Sequence, residues 1–204
     1  MKYTISVRGL CEFTAKQGDL DLRFSPAPSS LEGITGHDAV RAGRPSHYQA
    51  EVTLSGEFKQ LLIRGRADGF DPVQNLVEEI KTFRGDLRAL PDNHRYLHWA
   101  QIKIYGWLLC QKLGLSEIRL ALVYFDIVTK TETTLIELHD ANLLKQYFEN
   151  KCEHFLSWAK QELAHRAQRD QALTSLGFPH PSFRPGQRQF AEAVYRTAYS
   201  GRCL

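Results

Sequence analysis

Ile63-Arg64-Gly65-Arg66-Ala67-Asp68-Gly69-Phe70-Asp71-Pro72-Val73-Gln74-Asn75-Leu76-Val77-Glu78-Glu79-Ile80-Lys81-Thr82 is the stretch on which the reading of this chain turns. Gly69, Asp71-Pro72 and Asn75 are turn formers between two apolar-laced runs, which predicts two strands joined by a tight turn. Side chains alternate along a strand, so Glu79 and Lys81 share a face and Ile80 takes the other. On the first strand Ile63, Gly65 and Ala67 take one face, leaving Arg64, Arg66 and Asp68 on the other. Folding the hairpin brings Asp68 beside Glu79, with Lys81 one pleat further along. Two carboxylates that close repel unless a cation lies between them, and hard oxygen ligands suit Mg²⁺ or Mn²⁺. A lysine beside such an ion can hold an attacking water and offset charge building up on a phosphate. The chemistry implied is metal-assisted hydrolysis of a phosphodiester. Taken alone, Glu-x-Lys is also what a solvated strand face carries; the weight lies in the whole strand–turn–strand unit.

Gly65-Arg66-Ala67-Asp68-Gly69 followed by Val77-Glu78-Glu79-Ile80-Lys81-Thr82 resembles the core of the PD-(D/E)XK nucleases, and within them the RecB-like branch. Glu78 competes for the place of the second carboxylate, but only Glu79 has the one-residue gap to Lys81. The resemblance implies that Asp68 and Glu79 hold the metal, helped by the Ile80 carbonyl, and that Lys81 positions or activates water. RecB-like nucleases often place a histidine on a helix upstream of the aspartate as an extra ligand. His37, in Glu32-Gly33-Ile34-Thr35-Gly36-His37, stands at the matching place. Gln101-Ile102-Lys103-Ile104-Tyr105 resembles the branch's Gln-x-x-x-Tyr signature on the helix after Glu-x-Lys, which implies that Gln101 and Tyr105 orient the substrate strand. A hydrogen-bonded polar pair inside a packed interface is the plainer reading of those two residues.

Working outward, the 204-residue length suits one domain with or without an appendage, and the composition supplies enough apolar side chains for a core. A net charge of +3 is too small for a broad nucleic-acid-binding field, so any DNA groove must be a local patch. The opening Met1-Lys2-Tyr3-Thr4-Ile5 lacks the apolar run of a signal peptide, and no stretch is long enough to span a membrane. Cys11, Cys110, Cys152 and Cys203 lie far apart with no Cys-x-x-Cys pair, as in a reduced, cytoplasmic chain. Some RecB-like nucleases hold a [4Fe–4S] cluster with one upstream cysteine and a close trio after the core. No such trio exists here, so no iron–sulfur cluster is expected.

Alternation predicts strands over Tyr3, Ile5 and Val7 and over Leu20, Leu22 and Phe24, with a short Leu10–Lys16 turn between them. Ser29 and Glu32 form a capping box for a helix reaching about Ala42. Glu51–Leu54 and Leu61–Asp68 pair around Ser55-Gly56-Glu57, and Phe83–Leu90 is a loop. A long helix from about Asp92 to Leu113 puts His94, His98, Gln101 and Tyr105 on one face. Ile118–Asp126 reads as a central buried strand and Thr133–Leu138 as an edge strand. Asp140 then caps a helix whose stripe of Leu143, Leu144, Tyr147, Phe148, Cys152, Phe155, Leu156, Ala159 and Leu163 packs on the core.

From Asp170 the character changes. Leu176-Gly177-Phe178-Pro179-His180-Pro181 is rich in breakers, and a new helix follows and stops at Gly201. Phe183-Arg184-Pro185-Gly186-Gln187 resembles the opening of superfamily 2 helicases of the XPD and DinG kind, just before their phosphate-binding loop. The expectation is a RecB-like nuclease domain over 1–173 and, over 174–204, a linker with the start of a C-terminal helicase motor. The fold class is α/β: a restriction-endonuclease-like core with a central mixed β-sheet flanked by α-helices. The function expected is divalent-metal-dependent cleavage of DNA in repair or processing. The alternative is a catalytically silent DNA-binding accessory domain of a helicase.

Overall fold

The computed structural model describes residues 3–18, 28–177 and 180–201. In chain order the elements are β1 (Tyr3–Ser6), α1 (Val7–Thr14), α2 (Ser30–Ala42), β2 (Gln49–Phe58), β3 (Leu61–Asp71), β4 (Leu76–Phe83), α3 (Asp92–Leu113), β5 (Glu117–Asp126), β6 (Glu132–Asp140), α4 (Ala141–Thr174) and α5 (Gln187–Ser200). A single 3-10 turn, Leu87–Ala89, interrupts the segment between β4 and α3. The strand expected over Leu20, Leu22 and Phe24 and the cysteine at 203 lie outside the described residues. Two units are distinguishable, Met1–Lys160 and Gln161–Leu204.

The first unit is built on one mixed sheet in the order β1-β3-β4-β5-β6, with β2 paired to the other edge of β3. β1 runs parallel to β3 and β4 parallel to β5, while β2–β3, β3–β4 and β5–β6 are antiparallel. β5 shows why it is interior: from Leu120 to Asp126 every residue is buried, as a strand covered on both faces requires. β6 pairs only with β5 among the described residues and is the more polar edge the sequence implies. On one face Leu10, Leu54, Ile63, Ile104, Leu108, Phe148, Cys152 and Leu156 join α1, α3 and the first half of α4 to the sheet. On the other, Val40 of α2 meets Leu76, Ile80, Ala121, Val123 and Phe125. The α/β class with a helix-flanked mixed sheet is thus observed.

Helix ends follow local chemistry. Ser29 and Glu32 form the capping box of α2, Gly114 ends α3 at φ 70°, and Asp140 Oδ1 accepts from the main-chain N–H groups of Asn142 and Leu143. Several expectations fail for tertiary reasons. The first strand stops at Ser6, whose side chain accepts from the Gly9 N–H and starts α1, burying Val7, Leu10 and Cys11. The β2–β3 turn falls at Lys59, with φ 51°, and Gln60 rather than at Ser55-Gly56-Glu57. Gly56 pairs with Ile63 inside β2, and a Cβ there would stand 2.5 Å from Leu108 of α3. Gly69 likewise belongs to β3, where Tyr48 lies across it; the turn itself spans 72–75 and uses Asn75 at φ 48°. Leu143 and Leu163 face solvent, so the buried stripe of α4 is narrower than the sequence implies and ends at Ala159.

The second unit holds the remainder of α4 and α5. α5 is flanked by Gly186 at φ 78° and Gly201 at φ 65°, has no buried residue, and carries Tyr195 and Tyr199 with stacked rings 6.2 Å apart.

Candidate active site

The site forms where the sheet forks. β2 occupies one edge of β3 along almost its whole length, so β1 and β4 share the other. β1 covers Leu61–Arg64 and β4 covers Gly69–Asp71, which leaves 65–68 without a strand partner on that edge. Alternation also breaks here. Ala67 and Phe70 both enter the same core cluster, and Glu51, opposite Asp68, is skipped by the pairing and held at φ 55°. The strict two-face pattern expected of Arg64, Arg66 and Asp68 therefore ends at Asp68.

Two side chains fill the fork. Asp68 Oδ2 accepts the Ile80 main-chain N–H at 2.7 Å, standing in for the missing strand partner. A strand residue's carbonyl leaves on the same side as its N–H, so the Ile80 carbonyl also faces the fork. Tyr105 comes from α3. Its ring packs on Gly65, where a Cβ would meet it at 2.8 Å, and its hydroxyl points the same way, 2.9 Å from that Cβ position.

Glu79 and Lys81 lie together on the α3 side of β4. Lys81 Nζ donates to Glu79 Oε1 at 2.6 Å and approaches Gln101 Oε1 at 3.5 Å. Glu79 Oε2 is buried with no hydrogen-bond partner. Burial pushes the Glu79 carboxyl up to about 7; Lys81 opposes the shift and the Asp68 charge adds to it. His37 reaches the fork from α2, its Nδ1 3.5 Å from Asp68 Oδ1. Gly36 permits this, because a Cβ there would collide with Thr82 of β4. Among the described residues, no three His, Cys, Asp or Glu side chains stand close enough together to grip an ion, since Glu79 is turned to Lys81.

Glu78 belongs to a different structure. On the opposite face of β4 its carboxylate accepts from Arg44 Nε at 3.0 and 3.1 Å and from the Tyr48 hydroxyl at 2.8 Å. Arg44 also bridges to Glu132 at 2.9 Å. Glu78 is a satisfied buried ion pair.

Sequence reasoning missed the wall opposite α3. A cleft of about 480 Å³ beside Lys81 and Gln101 is lined by Arg8, Lys16, His94 and His98 among others. Arg8 comes from α1, which the sequence reading took for strand and turn. The signal was there in Val7, Leu10 and Cys11 at helical spacing behind the Ser6 cap. Cys11, Cys110 and Cys152 are buried free thiols pushed up to about 12, 11 and 12, chiefly by burial, and so are unreactive. No helix among the described residues is long and apolar enough to cross a membrane.

No protein-family model and no curated protein sequence matches the chain. Solved structures do. An alkaline exonuclease from Laribacter hongkongensis superposes with a TM-score of 0.51 at 10% identity, over 83% of this chain and 94% of that one. A phage-related exonuclease from Haemophilus somnus gives a TM-score of 0.48 at 15% identity, over 78% of this chain and 82% of that one. Taken with the sheet order and the helices on both faces, the first of these shows that the chain has the restriction-endonuclease-like α/β fold.

Proposed function

We propose that this chain is a divalent-metal-dependent nuclease that hydrolyses DNA phosphodiesters at the β3–β4 fork. The observation that carries the reading is the gathering of Asp68, Glu79, Lys81, Gln101 and Tyr105 at one opening in the sheet, with His37 at its rim. The fold likeness to an alkaline exonuclease supports it.

The donor set suits a hard cation. Glu79 Oε2 is a buried acceptor lacking a partner, and Asp68 and His37, 3.5 Å apart, remain partly exposed. Asp68, Glu79, the Ile80 carbonyl and His37 would hold Mg²⁺ or Mn²⁺, which would act as a Lewis acid toward the scissile phosphate. Lys81 has two roles in this reading. It offsets the Glu79 charge at rest, and its ammonium holds the attacking water and meets negative charge growing on the phosphate. Gln101, one helical turn from Tyr105 on α3, keeps that ammonium aimed into the fork.

End-labelled DNA incubated with Mg²⁺ or Mn²⁺ tests the proposal. Wild-type protein should shorten the label and chelation should stop it. Lys81→Ala should cut the rate by about a hundredfold or more under saturating metal. Equal rates in wild type and Lys81→Ala would sink this mechanism.

We propose further that 1–173 form the nuclease module and that 174–204 belong with a helicase motor in a nuclease–helicase. The exposed Phe190, Val194, Tyr195 and Tyr199 of α5 support that part of the reading.

A further inference from the structure

His98, on the cleft wall beside Lys81, is used by none of the chemistry above. Its Nδ1 lies 3.0 Å from the hydroxyl of Tyr124 on β5. The Arg95 charge acts on that hydroxyl, and the hydroxyl proton needs an acceptor. Tyr124 is 1% exposed, and a buried hydroxyl proton left without an acceptor is destabilising. The acceptor at hand is His98 Nδ1. With Nδ1 accepting, the ring proton of a neutral imidazole sits on Nε2, the nitrogen left for the cleft. Burial first, then the charges of Lys81, His94 and Arg95, hold the ring far below its usual titration range. The surroundings favour an anion. Arg8, Lys16, Lys81 and His94 line the same cleft, and Glu12, its carboxylate, is engaged by Arg8 at 2.7 Å.

We propose that this cleft is a phosphate-oxyanion subsite in which His98 Nε2–H donates to a phosphate oxygen of the substrate strand, its tautomer fixed by the hydrogen bond from the Tyr124 hydroxyl to Nδ1. The inference deepens the nuclease reading and rests on it. The volume of about 480 Å³ lies within the range of small-ligand pockets, about 300–1,000 Å³, and has room for a nucleotide. A neutral donor among cations fixes direction without adding charge, and its grip does not vary across neutral pH.

Long-range ¹H–¹⁵N correlation NMR on the whole chain at pH 7 tests it without an activity assay. His98 should show a protonated Nε2 and a bare Nδ1. Thymidine 5′-monophosphate should move the Nε2 resonance saturably. Inorganic phosphate, in a separate arm, should move it as well if the phosphate alone is recognised; a response to the nucleotide alone means that sugar or base contributes. A protonated Nδ1, an imidazolium, or an Nε2 unmoved by either ligand overturns the proposal. In cleavage, His98→Gln, which keeps an N–H donor, should hold kcat/KM within about threefold, whereas His98→Phe should lose about ten- to a hundredfold. Equal kcat/KM in the two variants also overturns it. Should His98→Phe fail to fold, Tyr124→Phe serves in its place, because it keeps the ring volume and frees Nδ1. It should then show a mixed His98 tautomer and a raised KM, and an unchanged tautomer counts against Tyr124 as the group that fixes it. Cleavage by wild type with Nε2 unmoved removes the subsite alone. Nε2 moved by the nucleotide in a protein that cuts no DNA removes the nuclease reading alone.

Discussion

Two adjacent carboxylates on β4 have opposite work. Glu78 is tied to Arg44 and Tyr48, so Glu78→Ala leaves the Arg44 guanidinium with Glu132 alone and the Tyr48 hydroxyl without its acceptor. Its expected cost is about 1–3 kcal/mol, read by denaturant unfolding, with cleavage per folded molecule kept. Glu79 is the reverse. Burial already raises its carboxyl to about 7, so Glu79→Gln removes a strained charge. Cleavage should be lost while the Tm stays level or rises; a fall of several degrees with retained cleavage would return Glu79 to a structural role. His98 sets a pH dependence of its own. Its folded pKa, about 3, lies below the unfolded value of 6.5, so between the two the unfolded chain binds a proton that the folded chain refuses. Its contribution is complete above pH 6.5 and is lost as pH falls, by about 1.4 kcal/mol per pH unit. His98→Gln should flatten the stability profile between about pH 6 and 4 by roughly that slope; parallel profiles would show that the ring is not held neutral.

At the scale of elements, the fork depends on close approaches that only glycine allows. Tyr48 crosses β3 at Gly69 to reach Glu78, and α2 comes against β4 at Gly36, which brings His37 within 3.5 Å of Asp68. Gly69→Ala puts a methyl group into the Tyr48 ring. It should cost about 1–3 kcal/mol in chemical denaturation, the usual cost of overpacking. An unchanged midpoint would mean that Tyr48 has another seat. Much of this scale was legible in local pattern. The Ser29–Glu32 box predicts α2, helical periodicity predicts α3 at its observed limits, and unbroken apolar character predicts β5. α1 was not legible as strand or helix by alternation alone, because Tyr3, Ile5 and Val7 fit a strand until the Ser6 cap and the burial of Leu10 and Cys11 are counted.

For the whole molecule, the site lies within Met1–Lys160, and the buried stripe of α4 ends at Ala159. No residue of α5 is buried, so its apolar face contributes nothing observed to a core. A chain ending at 173 should therefore unfold within about 1 kcal/mol of the full chain, the range of changes that touch no packed feature. A larger loss, read by chemical denaturation, would show that 174–204 stabilise the first unit and would count against their proposed assignment to a separate motor.

What the sequence by itself determined is whatever depends on near neighbours. The one-residue gap that puts Glu79 and Lys81 on one face, the four-residue step from Gln101 to Tyr105, and the caps that open α2 and α4 all follow from strand and helix periodicity. What only the tertiary structure decided is whatever depends on which surfaces meet. The fork exists because β1 and β4 share one edge of β3 and leave 65–68 unpaired. The rivalry of Glu78 and Glu79 ends because Arg44, thirty-four residues upstream of Glu78, reaches one carboxylate and not the other. The cleft wall of Arg8 and His98 joins residues ninety positions apart. Periodicity fixes the direction of a side chain relative to its own element. What it meets is set by long-range packing, which leaves no mark at any fixed spacing along the chain.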